Sequence, residues 1–242
     1  MKGVAWAITG SGVFINESLQ AIRALRSRNV PVTVFVSRAG EEVLKMYGMI
    51  RLLEELVRGE YPNEVVYERD EGHSFPKTGR LYKGVYSFVV VSPATTNTVA
   101  KIVHGIADSL VSNLVSHAIK TGTPVLVVPS DLVETTSRIP LLVDRDVCES
   151  CSSCVASTAC PTGAMSRDQV FKVRVDLLKC VLCGLCVEAC PYGAIKLNVE
   201  IRVNPHPYYV GIINRLTEIP GVRVLENPNR VLDVLRERGV YA

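Results

Sequence analysis

Cysteine is missing from most of this 242-residue chain, since all eight cysteines lie between Cys148 and Cys190. A disulfide framework spreads its bridges through a fold, so this clustering excludes a stapled secreted scaffold and points to metal held in a reducing compartment. An excess of charge of one sign is missing as well. With 27 basic and 24 acidic residues the net charge is +3, too little for nucleic acid to be the main partner. Long hydrophobic runs are also lacking. No stretch approaches the roughly 18 apolar residues that span a bilayer. The apolar segment 4–8 is too short for a signal sequence and runs straight into Thr9-Gly10-Ser11-Gly12. The expectation is a soluble, unprocessed cytoplasmic protein with no membrane partner. What remains is an ordinary globular composition, 48% hydrophobic and 21% charged, which excludes disorder.

Short apolar segments rich in β-branched residues recur at 3–8, 32–36, 88–92 and 124–128, and helical patterns occupy 17–28, 41–57, 97–103 and 109–120. Strands that are apolar throughout need cover on both faces, and their alternation with helices makes the sheet parallel. The predicted class is α/β, a doubly wound and mainly parallel sheet in a Rossmann-like three-layer form. Residues 58–87 mix Gly, Pro and charge, which predicts a long surface loop and, through Lys77, Arg80 and Lys83, a lid or docking surface. From residue 145 to about 199 the chain turns cysteine-rich, after which 208–217, 222–225 and 231–238 resume helix, strand and helix. A lone strand needs a sheet, so the C-terminal segment is expected to return to the first domain. The predicted partition is an α/β domain at 1–143, an inserted α+β module at 144–200, and a returning segment at 201–242.

Within the module Cys148, Cys151 and Cys154 are followed by Cys160-Pro161, and Cys180, Cys183 and Cys186 by Cys190-Pro191. Three thiolates in a tight loop hold three corners of a cubane, and the remote Cys-Pro supplies a corner to the other cluster. The predicted [4Fe-4S] ligand sets are therefore Cys148, Cys151, Cys154 and Cys190, and Cys180, Cys183, Cys186 and Cys160. Each Cys-Pro leads into a turn and a short apolar segment, Thr162-Gly163-Ala164-Met165 and Tyr192-Gly193-Ala194-Ile195. The repeat resembles the bacterial two-cluster ferredoxin. It departs in one respect, because five residues separate Cys154 from Cys160 where the second half has three. Structural zinc pairs two knuckles and does not use two three-cysteine loops.

Clusters of this type move single electrons and do no substrate chemistry alone, so the α/β domain should hold what they serve. In such sheets ligands sit beyond the carboxyl ends of the strands. There the chain reads Thr9-Gly10-Ser11-Gly12, Ser37-Arg38-Ala39-Gly40 and Ser92-Pro93-Ala94-Thr95-Thr96-Asn97-Thr98, all small, hydroxyl-rich and placed before helices whose N-termini favour a phosphate. The same residue types also serve as ordinary N-caps. Ile15 replaces the third glycine of the dinucleotide fingerprint, and no acidic residue ends the second strand to bind a ribose diol. Ser37-Arg38 suits a phosphate monoester, that of FMN or the 2′-phosphate of NADP. Of the two only the flavin converts between one-electron and two-electron chemistry.

These loops, with Gly105-Ile106-Ala107-Asp108, resemble the homo-oligomeric flavin-containing cysteine decarboxylase superfamily, in its archaeoflavoprotein and dihydromethanopterin reductase (acceptor) branch. The resemblance covers 1–143 and 201–242. It implies FMN at a subunit interface of a trimer-based homo-oligomer or larger cage, with Gly10, Ser11, Gly12, Ser37, Arg38, Pro93, Ala94, Thr95, Thr96, Asn97, Thr98 and Asp108 around the cofactor. It also implies a low-potential donor such as ferredoxin and a pterin acceptor. The decarboxylases carry an Asn-containing motif where this chain has Val128-Pro129-Ser130-Asp131-Leu132, which argues against decarboxylation. His73, His104, His117 and His206 are isolated and read as structural or surface residues. Two functions of different class stay open, a flavin-dependent pterin reductase and an electron carrier between ferredoxin and another redox protein. A cluster-based redox sensor is a third.

Overall fold

Every residue of β1 (Gly3–Ile8) is buried, so the strand must lie in mid-sheet with cover on both sides. Val4, Trp6 and Ile8 enter one core while Ala5 and Ala7 enter the other, as the two-residue period of a strand requires. The computed structural model describes residues 2–148, 151 and 153–241. After β1 come α1 (Ile15–Arg26), β2 (Val32–Val36), α2 (Arg38–Met46), α3 (Ile50–Val57), β3 (Glu64–Tyr67), β4 (Tyr86–Ala94), α4 (Thr96–Val103), α5 (Leu110–Thr121), β5 (Val125–Pro129) and β6 (Thr135–Val143). The cysteine module contributes α6 (Val155–Thr158), β7 (Met165–Asp168), β8 (Lys172–Val175) and α7 (Leu185–Ala189). Then follow β9 (Ile195–Val203), α8 (Pro207–Asn214), β10 (Val222–Val224) and α9 (Pro228–Glu237).

The main sheet has the order β10-β5-β4-β1-β2-β3 and is parallel throughout. From β1 the chain winds outward through β2 and β3, then crosses to β4 and winds the other way. The order therefore reverses between β1 and β4, where a doubly wound sheet opens its ligand crevice. One layer packs α1, α3 and α9 on the sheet through Leu19, Ile22, Leu53, Val231 and Leu235. The opposite layer packs α4, α5 and α8 through Val99, Leu110, Leu114 and Ile213. Among the described residues no helix is long and apolar enough to cross a membrane.

Two local expectations change. The helix expected over 41–57 is interrupted, because Gly48 takes φ +67 and so ends α2 in the left-handed conformation that glycine tolerates. Residues 58–87 are not a free loop. They contain β3 at the sheet edge, 3₁₀ turns at Glu68–Asp70 and Pro76–Leu81, and the buried side chains of Val66, Phe75 and Leu81. Their charges are paired within the segment, Arg80 with Glu64 at 2.7 Å and Lys77 with Glu71 at 3.2 Å. Glu64 opens β3, so these cations lie at the amino end of the sheet, and a lid over the carboxyl-end crevice through Lys77 and Arg80 is excluded. Lys83 is exposed in the turn before β4.

The C-terminal segment does return, since β10 pairs with β5 in parallel register, Val222 with Val125 and Val224 with Val127. The module leaves the domain on a two-stranded antiparallel stem in which β6 pairs with β9 from Thr135↔Val203 to Val143↔Ile195. Neither strand of the stem is apparent in the local pattern, and the boundary expected at 200 falls inside β9. In the module the amide of Asp144 donates to the carbonyl of Ala194 at 2.7 Å and that of Asp176 to Ala164 at 2.8 Å. Each half thus begins on the end of the other, which brings the Cys-Pro of each half toward the three-cysteine loop of the other.

Candidate functional site

Three loops meet at the carboxyl edge of the main sheet. Thr9, which is fully buried, links the loop after β1 to the loop after β4. Its hydroxyl donates to the carbonyl of Pro93 at 2.8 Å and accepts from the amide of Thr95 at 2.8 Å. Beneath it Trp6 Nε1 donates to the carbonyl of Ser92 at 2.8 Å. The loop after β2 is pressed against the first, because a Cβ on Gly10 would stand 2.6 Å from that of Ala39. Ser37 caps α2 by accepting from Gly40 N at 3.0 Å, and Thr95 caps α4. Gly40 has no room for a side chain, since a Cβ there would lie 2.6 Å from the carbonyl oxygen of Ile8. Gly40→Ala is therefore expected to lower stability by about 1–3 kcal/mol through overpacking, a loss that thermal unfolding will register.

Those bonds leave other groups over. The backbone N–H groups of Gly10, Gly12, Ala39, Thr96 and Asn97 have no hydrogen-bond acceptor among the described residues. They belong to loops that touch, and Ala39, Thr96 and Asn97 open helices whose first N–H groups have no intrahelical partner. Arg38 is exposed beside them, and its guanidinium has no ion pair among the described residues. Its own amide meets Glu68 Oε2 at 3.3 Å.

Sequence reasoning alone does not find one member of this constellation. Asp131, after β5, accepts from Thr96 Oγ1 at 2.5 Å and from Ser130 Oγ at 3.0 Å, while Ser130 N donates to the carbonyl of Ala94 at 2.9 Å. A fourth loop is thereby attached to the third. Its only signal in the chain is an acidic residue just past a strand. Asp108 stands apart. It is exposed in the turn between α4 and α5 and paired with Lys101 at 2.7 Å, and that hydrogen bond holds its carboxyl below the usual range. His117 meets Thr78 Oγ1 at 3.0 Å and His206 caps α8. His73 and His104 are exposed.

The eight cysteines gather into two tetrads. Cys148, Cys151, Cys154 and Cys190 line one cavity of about 200 Å³, and Cys160, Cys180, Cys183 and Cys186 line a smaller one. Each tetrad combines one three-cysteine loop with the remote cysteine of the other half. Among the described residues no three such side chains crowd one point closely enough to hold a single ion. Thiols arranged around a cavity instead suit a cubane, whose thiolates approach separate corners. The surroundings differ. Arg167, Asp168, Gln169 and Lys172 border the first cavity, with Arg167 donating to the carbonyl of Cys151 at 2.8 Å and Lys172 to that of Cys148. Leu141, Met165, Leu182 and Leu197 border the second. Burial raises the pKa of the Cys186 thiol there, helped by neighbouring Cys180. Burial also opposes ionisation of Cys160, but hydrogen bonds from Thr162 and nearby backbone amides outweigh it and lower that pKa.

Residues 1–136 match the Flavoprotein family and residues 173–196 match the 4Fe-4S binding domain. A flavoprotein sheet carrying a cluster module is an iron-sulfur flavoprotein, a class of oxidoreductase. The chain is 41% identical over 234 residues to the dihydromethanopterin reductase (acceptor) of Methanosarcina mazei, covering 96% of this chain and 98% of that one. It is 39% identical over 239 residues to the protein of the same name from Methanocaldococcus jannaschii, covering 97% and 96%. The chain belongs to the family of the dihydromethanopterin reductases (acceptor). Its fold is that of Burkholderia xenovorans DmrB, solved in complex with FMN and described as a cubic protein cage for redox transfer, with a TM-score of 0.62 at 23% identity over 98% of this chain and 94% of that one.

Proposed function

We propose that this chain holds FMN in the crevice between β1 and β4 and uses it to reduce dihydromethanopterin to tetrahydromethanopterin. The observation that carries the reading is the group of amides of Gly10, Gly12, Ala39, Thr96 and Asn97, which find no acceptor among the described residues, beside the exposed Arg38, whose guanidinium has no ion pair among them. These are the donors that a phosphate monoester requires. Ser11, Ser37, Thr95 and Thr98 add hydroxyls, and Pro93 and Ala94 shape the wall of the crevice. Asp108 joins the site only from a neighbouring copy, in keeping with a homo-oligomer of the kind described for DmrB.

A flavin, when bound, accepts electrons singly and delivers them as a hydride equivalent. The tetrads Cys148, Cys151, Cys154, Cys190 and Cys160, Cys180, Cys183, Cys186 would hold the clusters that receive electrons from a low-potential donor such as ferredoxin. The rest of the chain orients the flavin, since Thr9 and Asp131 tie the loops into one rigid rim.

The direct test is anaerobic stopped flow. Protein with intact clusters is reduced chemically, and flavin and cluster absorbance are followed as dihydropterin is added. Rapid reoxidation with tetrahydropterin formed is the expected result. Reoxidation by a protein acceptor alone would replace the reductase with an electron carrier. Arg38→Ala is expected to weaken FMN binding by about tenfold to a hundredfold, the loss of one charge-assisted contact of roughly 1.5–3 kcal/mol, with the iron content unchanged. Flavin released on gel filtration measures it.

A further inference from the structure

The two tetrads are not equivalent with respect to the sheet. Tyr47, which ends α2, sends its hydroxyl to the carbonyl of Arg138 on the stem at 2.6 Å. The same ring lies against Gly12, where any Cβ would overlap it. The next residue, Gly48, faces Leu182, whose Cδ1 would stand 4.0 Å from a Cβ on that glycine. Leu182 sits between Cys180 and Cys183 and lines the second cavity together with Leu141 of the stem. A chain of neighbouring residues therefore runs from the loop after β1 through Tyr47 and Gly48 toward the second tetrad. The first tetrad faces the β7–β8 hairpin instead, where Arg167 and Lys172 donate to the carbonyls of Cys151 and Cys148.

We propose that the cluster held by Cys160, Cys180, Cys183 and Cys186 is the one that passes electrons to the flavin crevice, across the junction of Leu182, Gly48, Tyr47 and Gly12, and that the other cluster receives them from outside. This rests on FMN occupying the crevice. Each crossing oxidises the reduced cluster by one electron and reduces the flavin by one, and two crossings with protons from water complete the two-electron reduction. The external source is a one-electron donor of low potential. Tyr47 is a positioning residue, holding the stem against the flavin-side loop.

The test uses the full chain loaded with FMN and iron, with a photoexcited deazaflavin as the reducing pulse. Bound flavin is quantified first by absorbance, and the clusters by the EPR spectrum of the reduced protein. Tyr47→Leu and Leu182→Ala are expected to keep both and to slow flavin bleaching after the pulse severalfold, because electron transfer between separate centres slows steeply with the distance between them. Tyr47→Phe, which retains the packing and loses only the hydrogen bond, should show a smaller slowing. Val155→Ala beside the first tetrad should leave the crossing rate unchanged. Flavin bound normally with equal rates in all four variants would overturn the proposal and place the crossing elsewhere, including between copies. A parent chain that takes up clusters but no flavin would instead overturn the reading of the crevice.

Discussion

Stripping iron with a chelator under reducing conditions is expected to unfold the cysteine module and leave the six-stranded domain intact. The buried core of the module consists of Leu141, Val143, Ala156, Met165, Val173, Cys186 and Ile195, with Cys148, Cys154, Cys160, Cys180 and Cys190 packed around it. Three of those core positions, Leu141, Val143 and Ile195, belong to the stem. Domains of this size bury too small a fraction of their surface to fold reliably alone. In small metal-binding folds the ligand bonds supply folding free energy directly, on the order of 10 kcal/mol for zinc-finger peptides. The main domain has no such dependence, because it buries two apolar layers of its own around Trp6, Phe35, Leu53 and Leu114. Amide exchange and limited proteolysis make the comparison. After chelation β7 and β8 should exchange rapidly and the chain should be cut within the module, while β1 and β4 stay protected. Retained protection in β7 and β8 would show that the apolar core holds the module unaided.

Thr9→Val should produce the largest effect of a single atom-for-atom exchange. Valine fills the same volume, but it removes the hydroxyl that donates to Pro93 and accepts from Thr95. The Thr95 amide loses its acceptor, and the Pro93 carbonyl keeps only the Thr9 amide at 3.2 Å. Leaving the Thr95 amide unpaired costs about 1–3 kcal/mol and losing the second bond to Pro93 about 0.5–1.5 kcal/mol, so the loss is about 1.5–4.5 kcal/mol. In a chain of this length that lowers Tm by roughly 5–15 °C. The same bonds hold two sides of the crevice together, so FMN affinity should fall with stability. Thr9→Ser keeps both bonds and serves as the control. Thermal unfolding with and without added FMN measures both quantities. Equal behaviour of the valine and serine variants would show that the hydroxyl does not tie the loops.

Spacing along the chain is enough for the cysteine repeat and for the division of thiols into the two tetrads, because three members of each come from one short loop and the fourth from the Cys-Pro of the other half. Buried strands at β1, β2 and β5 are likewise legible, since a fully apolar run of that length has few other places to go. The small, hydroxyl-rich residues after β1, β2 and β4 can be named as loop residues for the same reason. That they touch is a different matter. Their meeting depends on the strand order β5-β4-β1-β2, which brings residues 9, 39 and 95 together across more than eighty positions of sequence. The same holds for Asp131, which looks like an ordinary loop acid until Thr96 and Ser130 close on it.

Polar pairing hides structure in much the same way. Residues 58–87 look solvated because Glu64, Glu71, Lys77 and Arg80 neutralise one another only after folding, and β3 finds its partner only at the sheet edge. The stem of β6 and β9 alternates buried and exposed positions too weakly to be seen in either strand alone, and sixty residues separate Thr135 from Ile195. Helical and strand periods, turn residues and ligand spacing are short-range quantities written along the chain. Strand order, the pairing of distant charges and the contact of Tyr47 with both Gly12 and Arg138 arise only when burying two apolar faces of one sheet forces remote segments together.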